Sequence, residues 1–254
     1  VEKPFTATLE QAQAVIDLAR SRGRLLMVSQ NYRYFGAVKA IRGLLAGGSF
    51  GAVDSVALDF RRYAPLSGFR YYDFADPLVA DMSIHHYDLM RFLFGEIAEV
   101  ACVSWNPPGS PFRDDPSALT TVRFESGIVL GYRASFMSSG PITPWGGRWT
   151  INAAKGEIAF SYRDDIDREA DAVSTRLLGG EAKEVSLPVL PYVDRAGSVA
   201  AFAEAVASGT VPADLPTGAD NIRSLAVVKA CLASAKQGGA WVRPADLLGM
   251  RAGG

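Results

Sequence analysis

The chain is poor in the residues that mark disulfide, metal and nucleic-acid proteins. It has two cysteines in 254 residues, Cys102 and Cys231, far apart and outside any C-x-x-C. That usage indicates neither a disulfide framework nor a zinc site, and it leads to the expectation of a reducing cytoplasm. Charge of one sign is also lacking: 26 basic residues stand against 27 acidic ones, for a formal charge of −1. No Lys/Arg cluster goes beyond short pairs such as Arg61-Arg62, which argues against nucleic acid or an anionic membrane as the partner. No apolar run reaches the roughly 18 residues of a membrane span. The start, Val1-Glu2-Lys3-Pro4, has neither a basic n-region with an h-region nor an initiator Met, so the chain is expected to begin inside a longer one or to have lost a leading segment. Phosphate-cradling loops are missing too, both G-x-G-x-x-G and G-x-x-x-x-G-K-[ST]. The nearest approach, Gly47-Gly48-Ser49-Phe50-Gly51, follows a helix and precedes a strand, which is the order of a helix stop.

What is present describes a globular chain. With 48 % hydrophobic and 21 % charged residues and a mean hydropathy of +0.09, it fills one large domain or two modest ones. About 70 % of its unfolded surface could be buried. Thr8-Leu9-Glu10-Gln11 is a capping box, and Leu9, Ala12, Val15, Ile16 and Ala19 recur at helical spacing until Gly23, predicting a helix over 8–22. The apolar run Leu25-Leu26-Met27-Val28 then reads as a strand buried on both faces. Helix followed by buried strand is the second half of a βαβ crossover, and the sheet it belongs to is expected to be mostly absent.

From about residue 53 the pattern changes. Val56, Leu58 and Phe60 alternate with polar or small neighbours. Ser126-Gly127, Lys155-Gly156 and Gly179-Gly180 each separate two alternating runs, the last pairing 173–178 with 184–189. Helices are predicted over 80–94, about 196–208 and about 217–237. The fold class is therefore α+β: a large open, predominantly antiparallel sheet with helices on one face. The Pro/Gly-rich stretches 106–116 and 138–147 read as long loops at a sheet edge.

The segment 80–94 carries the chemistry. On a 3.6-residue period Asp81, His85 and Asp88 share a narrow face, and Met82, His86, Leu89 and Leu93 another. Asp81 and His85, four apart, are placed to hydrogen-bond, so that the carboxylate would fix the tautomer of a general base. A structural pair on a solvated face is the plainer alternative. Asp81, His85 and Asp88 could also ligate a metal, and His86 reads as a core or interface histidine.

Glu2-Lys3-Pro4, the capped helix, the run into Gln30-Asn31-Tyr32-Arg33-Tyr34, and Asp81-Met82-Ser83-Ile84-His85-His86-Tyr87-Asp88-Leu89 together resemble the Gfo/Idh/MocA family of NAD(P)-dependent oxidoreductases. The resemblance extends to Pro216-Thr217-Gly218-Ala219-Asp220 and its long helix. It implies that residues 1–34 are the end of a dinucleotide-binding Rossmann domain and that 35–254 form the substrate-binding and dimerising domain. It also implies catalytic roles for Lys3, Asp81 and His85, and cofactor-side positions for Glu2, Lys3, Pro4 and Arg33, with no metal. Without that context Lys3 reads as a surface lysine, and Arg33 reads equally as a surface ion-pair residue. The cofactor is NAD or NADP, its main site lying in the absent domain. The sequence departs from the family pattern at Pro77-Leu78-Val79-Ala80, where a glycine-rich approach is common, and at Ser83.

The leading reading is thus the substrate portion of a nicotinamide-dependent sugar, cyclitol or polyol dehydrogenase, inactive without its missing domain. A non-catalytic binding or oligomerisation module is the alternative, and a metal site the third. Arg70, Tyr71, Tyr72, Trp145 and Arg148 flank the expected cleft and could bind hydroxyls or stack on a sugar ring. The open sheet face, carrying Val129, Phe136, Ile151 and Phe160, is expected to form a homodimer or homotetramer.

Overall fold

A computed structural model describes residues 1–66, 72–164 and 171–249. The capping box forms as expected. Thr8 Oγ1 accepts from the Gln11 amide, and the Gln11 side chain accepts from the Thr8 amide, starting α1 (Leu9–Ser21). Its buried Ala12 and Ile16 pack with Phe5, Val28, Ile222 and Leu225 in a small cluster of their own.

The run 25–28 takes a different partner from a large sheet. The Val1 nitrogen donates to Met27 O (2.8 Å) and the Ser29 amide donates to Val1 O (2.8 Å), which is the alternating pattern of a parallel pair centred on Val28. On its other side Met27 bridges Thr217 in antiparallel sense. Both neighbours saturate this backbone with too few residues to make a strand.

A 3₁₀ turn (Asn31–Tyr34) leads into α2 (Gly36–Ala46), then β1 (Val53–Arg61). A π-helical turn (Pro77–Met82) runs into α3 (Ser83–Phe94). There follow β2 (Ile97–Trp105), β3 (Ser117–Phe124), β4 (Val129–Ser135), β5 (Arg148–Ala153), β6 (Gly156–Ser161), β7 (Ala172–Leu177) and β8 (Lys183–Glu184). Helices α4 (Asp194–Ser208), α5 (Gly218–Lys236) and α6 (Pro244–Leu247) end the described chain. The eight strands form one sheet in the order β2-β3-β4-β1-β5-β6-β7-β8. Every pair is antiparallel except β1 with β4. The fold is α+β, with a large, mostly antiparallel open sheet. A simple meander is corrected in one respect: β1 enters the middle, because the chain leaves it through α3 and returns at the β2 edge. The strand expected over 184–189 shrinks to two residues at the opposite edge.

The alternation of each strand sets the faces. Val56, Leu58 and Phe60 point to the helix side, as do Leu130, Tyr132, Trp149, Ile151, Ile158 and Phe160, all nearly fully buried. The expectation that Phe136, Ile151 and Phe160 lie on the open face is therefore corrected. Phe136 is 1 % exposed and Val129 40 %, and residues an odd number apart in an extended segment take opposite faces. The outer face instead carries Val103, Leu119 and Val129 among Ala57, Gly131 and Thr150, and Arg133 forms a two-point ion pair with Asp59 (2.8 and 2.9 Å). No helix among the described residues is long and apolar enough to cross a membrane.

Candidate active site

The π-helical turn delivers Asp81 to the first residues of the chain. Lys3 Nζ donates to the Asp81 backbone carbonyl (2.8 Å) and to its Oδ1 (2.9 Å), and both side chains stay partly open, at 19 % and 33 %. Glu2 and Pro4 beside it are exposed, and the Lys3–Pro4 peptide is cis. His85, on the first turn of α3, lies underneath. It is 7 % exposed and stacks face to face on Tyr32, with centroids 4.2 Å apart and planes 7° from parallel.

The expected Asp81–His85 hydrogen bond does not form. Asp81 turns to Lys3 instead. His85 Nδ1 is sealed and unpartnered, which leaves Nε2 as the nitrogen able to meet a ligand. Burial and then the nearby Lys3 ammonium, with His86, Arg163 and Arg195, push the His85 pKa well below its ordinary value. The imidazole is consequently neutral at neutral pH, the state a general base requires.

His86 is fully buried and both of its nitrogens are engaged. Nε2 lies 3.0 Å from Trp145 O, so this nitrogen donates. Nδ1 therefore accepts from the Tyr132 hydroxyl (2.6 Å), and the Ser83 hydroxyl donates in turn to Tyr132 (3.0 Å). Burial lowers the His86 pKa to about 4. It is the satisfied core histidine expected from its face.

Arg33 is a buried residue, so its alternative as a surface ion pair is corrected in location though not in kind. Its guanidinium holds Asp88 at two points (2.7 Å each), Asp220 (2.7 Å) and Asp214 O (3.0 Å). Asp88 also accepts from Ser224 (2.9 Å), so its oxygens are occupied and it stands apart from the Lys3–Asp81 pair. No group of three or more His, Cys, Asp or Glu fit to hold a metal is found among the described residues. Trp145 is half-buried, and its ring lies 4.4 Å from the Arg62 guanidinium. Tyr72 packs edge-on to Phe112. Arg148 projects from the outer sheet face, because it alternates with the buried Trp149. Arg70 and Tyr71 lie outside the described residues.

Several neighbours of His85 were not singled out in the sequence. Tyr32 and Asn31 sit in a quoted motif but are marked by no periodicity, and Arg163 follows a strand end. Arg163 lies over the Tyr32 ring (5.0 Å) and donates to its hydroxyl (3.2 Å). Asp194, at the start of α4, accepts from Asn31 and lies 3.8 Å from Arg163 Nε. The close approach of α4 requires Gly197, where a Cβ would come 2.7 Å from that of Tyr34 and 3.0 Å from Tyr192 O.

With this geometry in view, residues 42–243 match the family described as "Oxidoreductase family, C-terminal alpha/beta domain". This chain belongs to the Gfo/Idh/MocA oxidoreductase family. Among its Gfo/Idh/MocA relatives is a D-apiose dehydrogenase of Paraburkholderia graminis, 26 % identical over 93 % of this chain and 64 % of the relative. The chain spans 47 % and 64 % of the lengths of two curated relatives. Two solved structures share the fold. One is an oxidoreductase from Agrobacterium radiobacter in complex with NAD⁺, L-tartaric acid and magnesium, with a TM-score of 0.79 at 21 % identity over 97 % of this chain and 72 % of that one. The other is an inositol dehydrogenase homolog from Azotobacter vinelandii complexed with NADH and myo-inositol, with a TM-score of 0.78 at 18 % identity over 95 % and 70 %.

Proposed function

We propose that this chain is the substrate-binding part of a nicotinamide-dependent dehydrogenase acting on a hydroxyl or carbonyl carbon of a sugar, cyclitol or other polyol. The observation that carries the reading is a neutral, nearly buried imidazole beside a half-open Lys3–Asp81 pair. Residues 1–34 would belong to the dinucleotide-binding unit and 35–254 to the substrate domain. A cofactor fits at this point on one feature of the fold. The parallel pair of Val1 and Val28 runs toward Lys3 and Gln30, and ligands of α/β units bind beyond the carboxyl ends of such strands. The Gln30 amide is fully buried, with neither its nitrogen nor its oxygen partnered, as a residue awaiting a polar group would be. Glu2, Lys3 and Pro4 are at hand there. Arg33 is not, since its guanidinium is already bound by Asp88, Asp220 and the Asp214 carbonyl. NAD or NADP, when bound, supplies the hydride acceptor.

The chain's own residues would handle the proton. His85 Nε2 takes the proton of the reacting hydroxyl as the C–H bond breaks, and returns it in the reverse direction. The Lys3 ammonium donates to the oxygen as it gains carbonyl character, and Asp81 fixes where that ammonium points. The apolar bed of Tyr32 under His85 keeps water from the base. The outer sheet face, with Val103, Leu119 and Val129 exposed, would pair with a second copy as a homodimer or homotetramer. Two buried, unbridged cysteines fit residence in the cytoplasm.

The test is oxidation of a panel of polyols and aldoses by the full-length enzyme with NAD⁺ and NADP⁺, followed by formation of the reduced nicotinamide. Turnover that depends on His85 is expected. Binding of polyols without any turnover would assign the fold a non-catalytic role.

A further inference from the structure

Besides Lys3, two further cations stand near His85, Arg163 and Arg195, and the hydrogen-bonding capacity around them is not fully used. Arg163 and His85 both contact the ring of Tyr32, the first from 5.0 Å and the second from 4.2 Å. Arg163 gives one nitrogen to the Tyr32 hydroxyl, while its Nε is buried without a hydrogen bond. The hydroxyl of Tyr162, the preceding residue, is also buried and unpartnered. Arg195 is exposed at the start of α4 and has no ion-pair partner among the described residues. Of the nearby carboxylates, Asp81 is held by Lys3 and Asp171 by the backbone amide of Arg163, while Asp194, which accepts from Asn31, reaches Arg163 Nε only as a 3.8 Å ion pair, beyond hydrogen-bond distance.

A neutral polyol gives such a site no reason to gather charge. Hydroxyls are bound as well by neutral donors and acceptors, and a partly desolvated guanidinium is stabilised by an anion that satisfies its fork.

We propose that the substrate is an acidic polyol, bound with its reacting hydroxyl at His85 and its anionic group at Arg163 and Arg195. This deepens the dehydrogenase reading and rests on it for the reacting hydroxyl. The recognised chemistry is an anion on a polyhydroxy chain or ring, and both a carboxylate and a phosphate carry it. The Tyr32 ring, shared by both ends, sets the spacing at a few carbon atoms. Sugar acids and sugar phosphates of five or six carbons therefore span from base to cation.

The experiment uses the full-length enzyme, with and without saturating NAD⁺, and measures binding by calorimetry. Probes are matched pairs: aldonates and uronates against the corresponding alditols and aldoses, and the 6-phosphates of the same sugars. At least one acidic probe is expected to bind tenfold or more tightly than its neutral partner, with an affinity that weakens as salt is added. Arg163→Gln should erase that preference, Arg163→Lys should restore part of it, and Arg148→Gln, on the outer sheet face, should leave it intact. The carboxylate and phosphate arms identify which anion is read. If no acidic probe outbinds its neutral partner, or if Arg163→Gln folds and keeps the preference, the proposal is overturned. Turnover of neutral polyols alone would overturn it and leave the dehydrogenase reading standing. Tight, Arg163-dependent binding of acids without turnover would uphold the site and remove the dehydrogenase reading.

Discussion

Two charged regions flank α3, and they are built on opposite plans. Toward α5, Arg33, Asp88, Asp220, Arg91 and Glu96 form a closed network. Arg91 holds Glu96 at two points (3.0 and 2.8 Å) and reaches Asp220 (2.9 Å) and Ser224 (2.7 Å). Burial opposes ionisation of Asp220 and Glu96, but the arginines outweigh it and hold both carboxyls below their usual range. Toward the first residues of the chain, the Lys3, His85, Tyr32 and Arg163 group leaves Nδ1 of His85, Nε of Arg163 and the Tyr162 hydroxyl buried without a hydrogen bond. In the closed network each buried charge is answered by an opposite one, which locks α3 to the 3₁₀ turn and α5. The open group keeps buried polar atoms unsatisfied around the His85 imidazole. The same residue types thus read as structural where charges are matched and as a candidate site where polar atoms stay unmatched.

The sharpest way to break the contrast is to open the closed side. Asp88→Ala leaves the Arg33 guanidinium buried with part of its partners removed, and unfolding stability should fall by about 3–5 kcal/mol, read from urea midpoints. A loss below about 1 kcal/mol would show that the network is no more than a surface pair in effect. On the open side, His85→Ala should lower kcat of the full-length enzyme by about 10²- to 10⁴-fold with a far smaller change in stability. His86→Ala should instead act mainly on folding, since it removes the acceptor of the buried Tyr132 hydroxyl and a donor to the Trp145 carbonyl. Reversal of these two outcomes would exchange the roles of the histidines.

A third measurement follows from the direction of the histidine shifts. Burial lowers the His86 pKa to about 4, and burial with Lys3 lowers that of His85, while the unfolded chain titrates near the ordinary value of about 6.5. The unfolded state therefore binds more protons between those limits, and their contribution to stability is intact above about pH 6.5. It is lost as pH falls toward 4, at roughly 1.4 kcal/mol per pH unit for each fully shifted histidine. Urea midpoints taken across this window should decline with acidification, and a flat profile would mean that one or both imidazoles are hydrated. The smallest effect belongs to the outer face. Arg123→Ala, which removes a half-exposed pair with Glu99 (2.7 Å), should change stability by less than about 1 kcal/mol and leave both flanks of α3 unaltered.

Local signals were legible in the sequence. Thr8 and Gln11 announced α1, Ser126-Gly127 and Lys155-Gly156 the two central hairpins, and Gly218–Lys236 its long helix, because caps and turns are decided by a few neighbouring residues. The placement of β1 beside β4 was not, since strand pairing across intervening elements leaves no trace in either strand's alternation. Among candidate site residues, Lys3 and Asp81 are brought together by a resemblance-based reading that no spacing rule supplies, across chain segments far apart in sequence. Tyr32 and Arg163 were missed because an aromatic in a turn and an arginine at a strand end look the same whether or not they line a site. Arg33 was misplaced for a related reason: a lone arginine carries no sign of whether its acids, here Asp88 and Asp220, will come from distant helices and bury it.

The π-helical turn at Pro77–Met82 runs straight into α3, so the backbone that presents Asp81 and the helix that presents His85 form one continuous element. Each residue of an α-helix turns the chain by roughly 100°, so adding or removing one residue between Asp81 and His85 would swing the carboxylate away from Lys3 and out of register with the imidazole. Length in this segment is therefore a constraint separate from composition. A substitution at the half-buried Ala80 alters one side chain, whereas an insertion or deletion between Asp81 and His85 re-aims one half of the candidate site relative to the other.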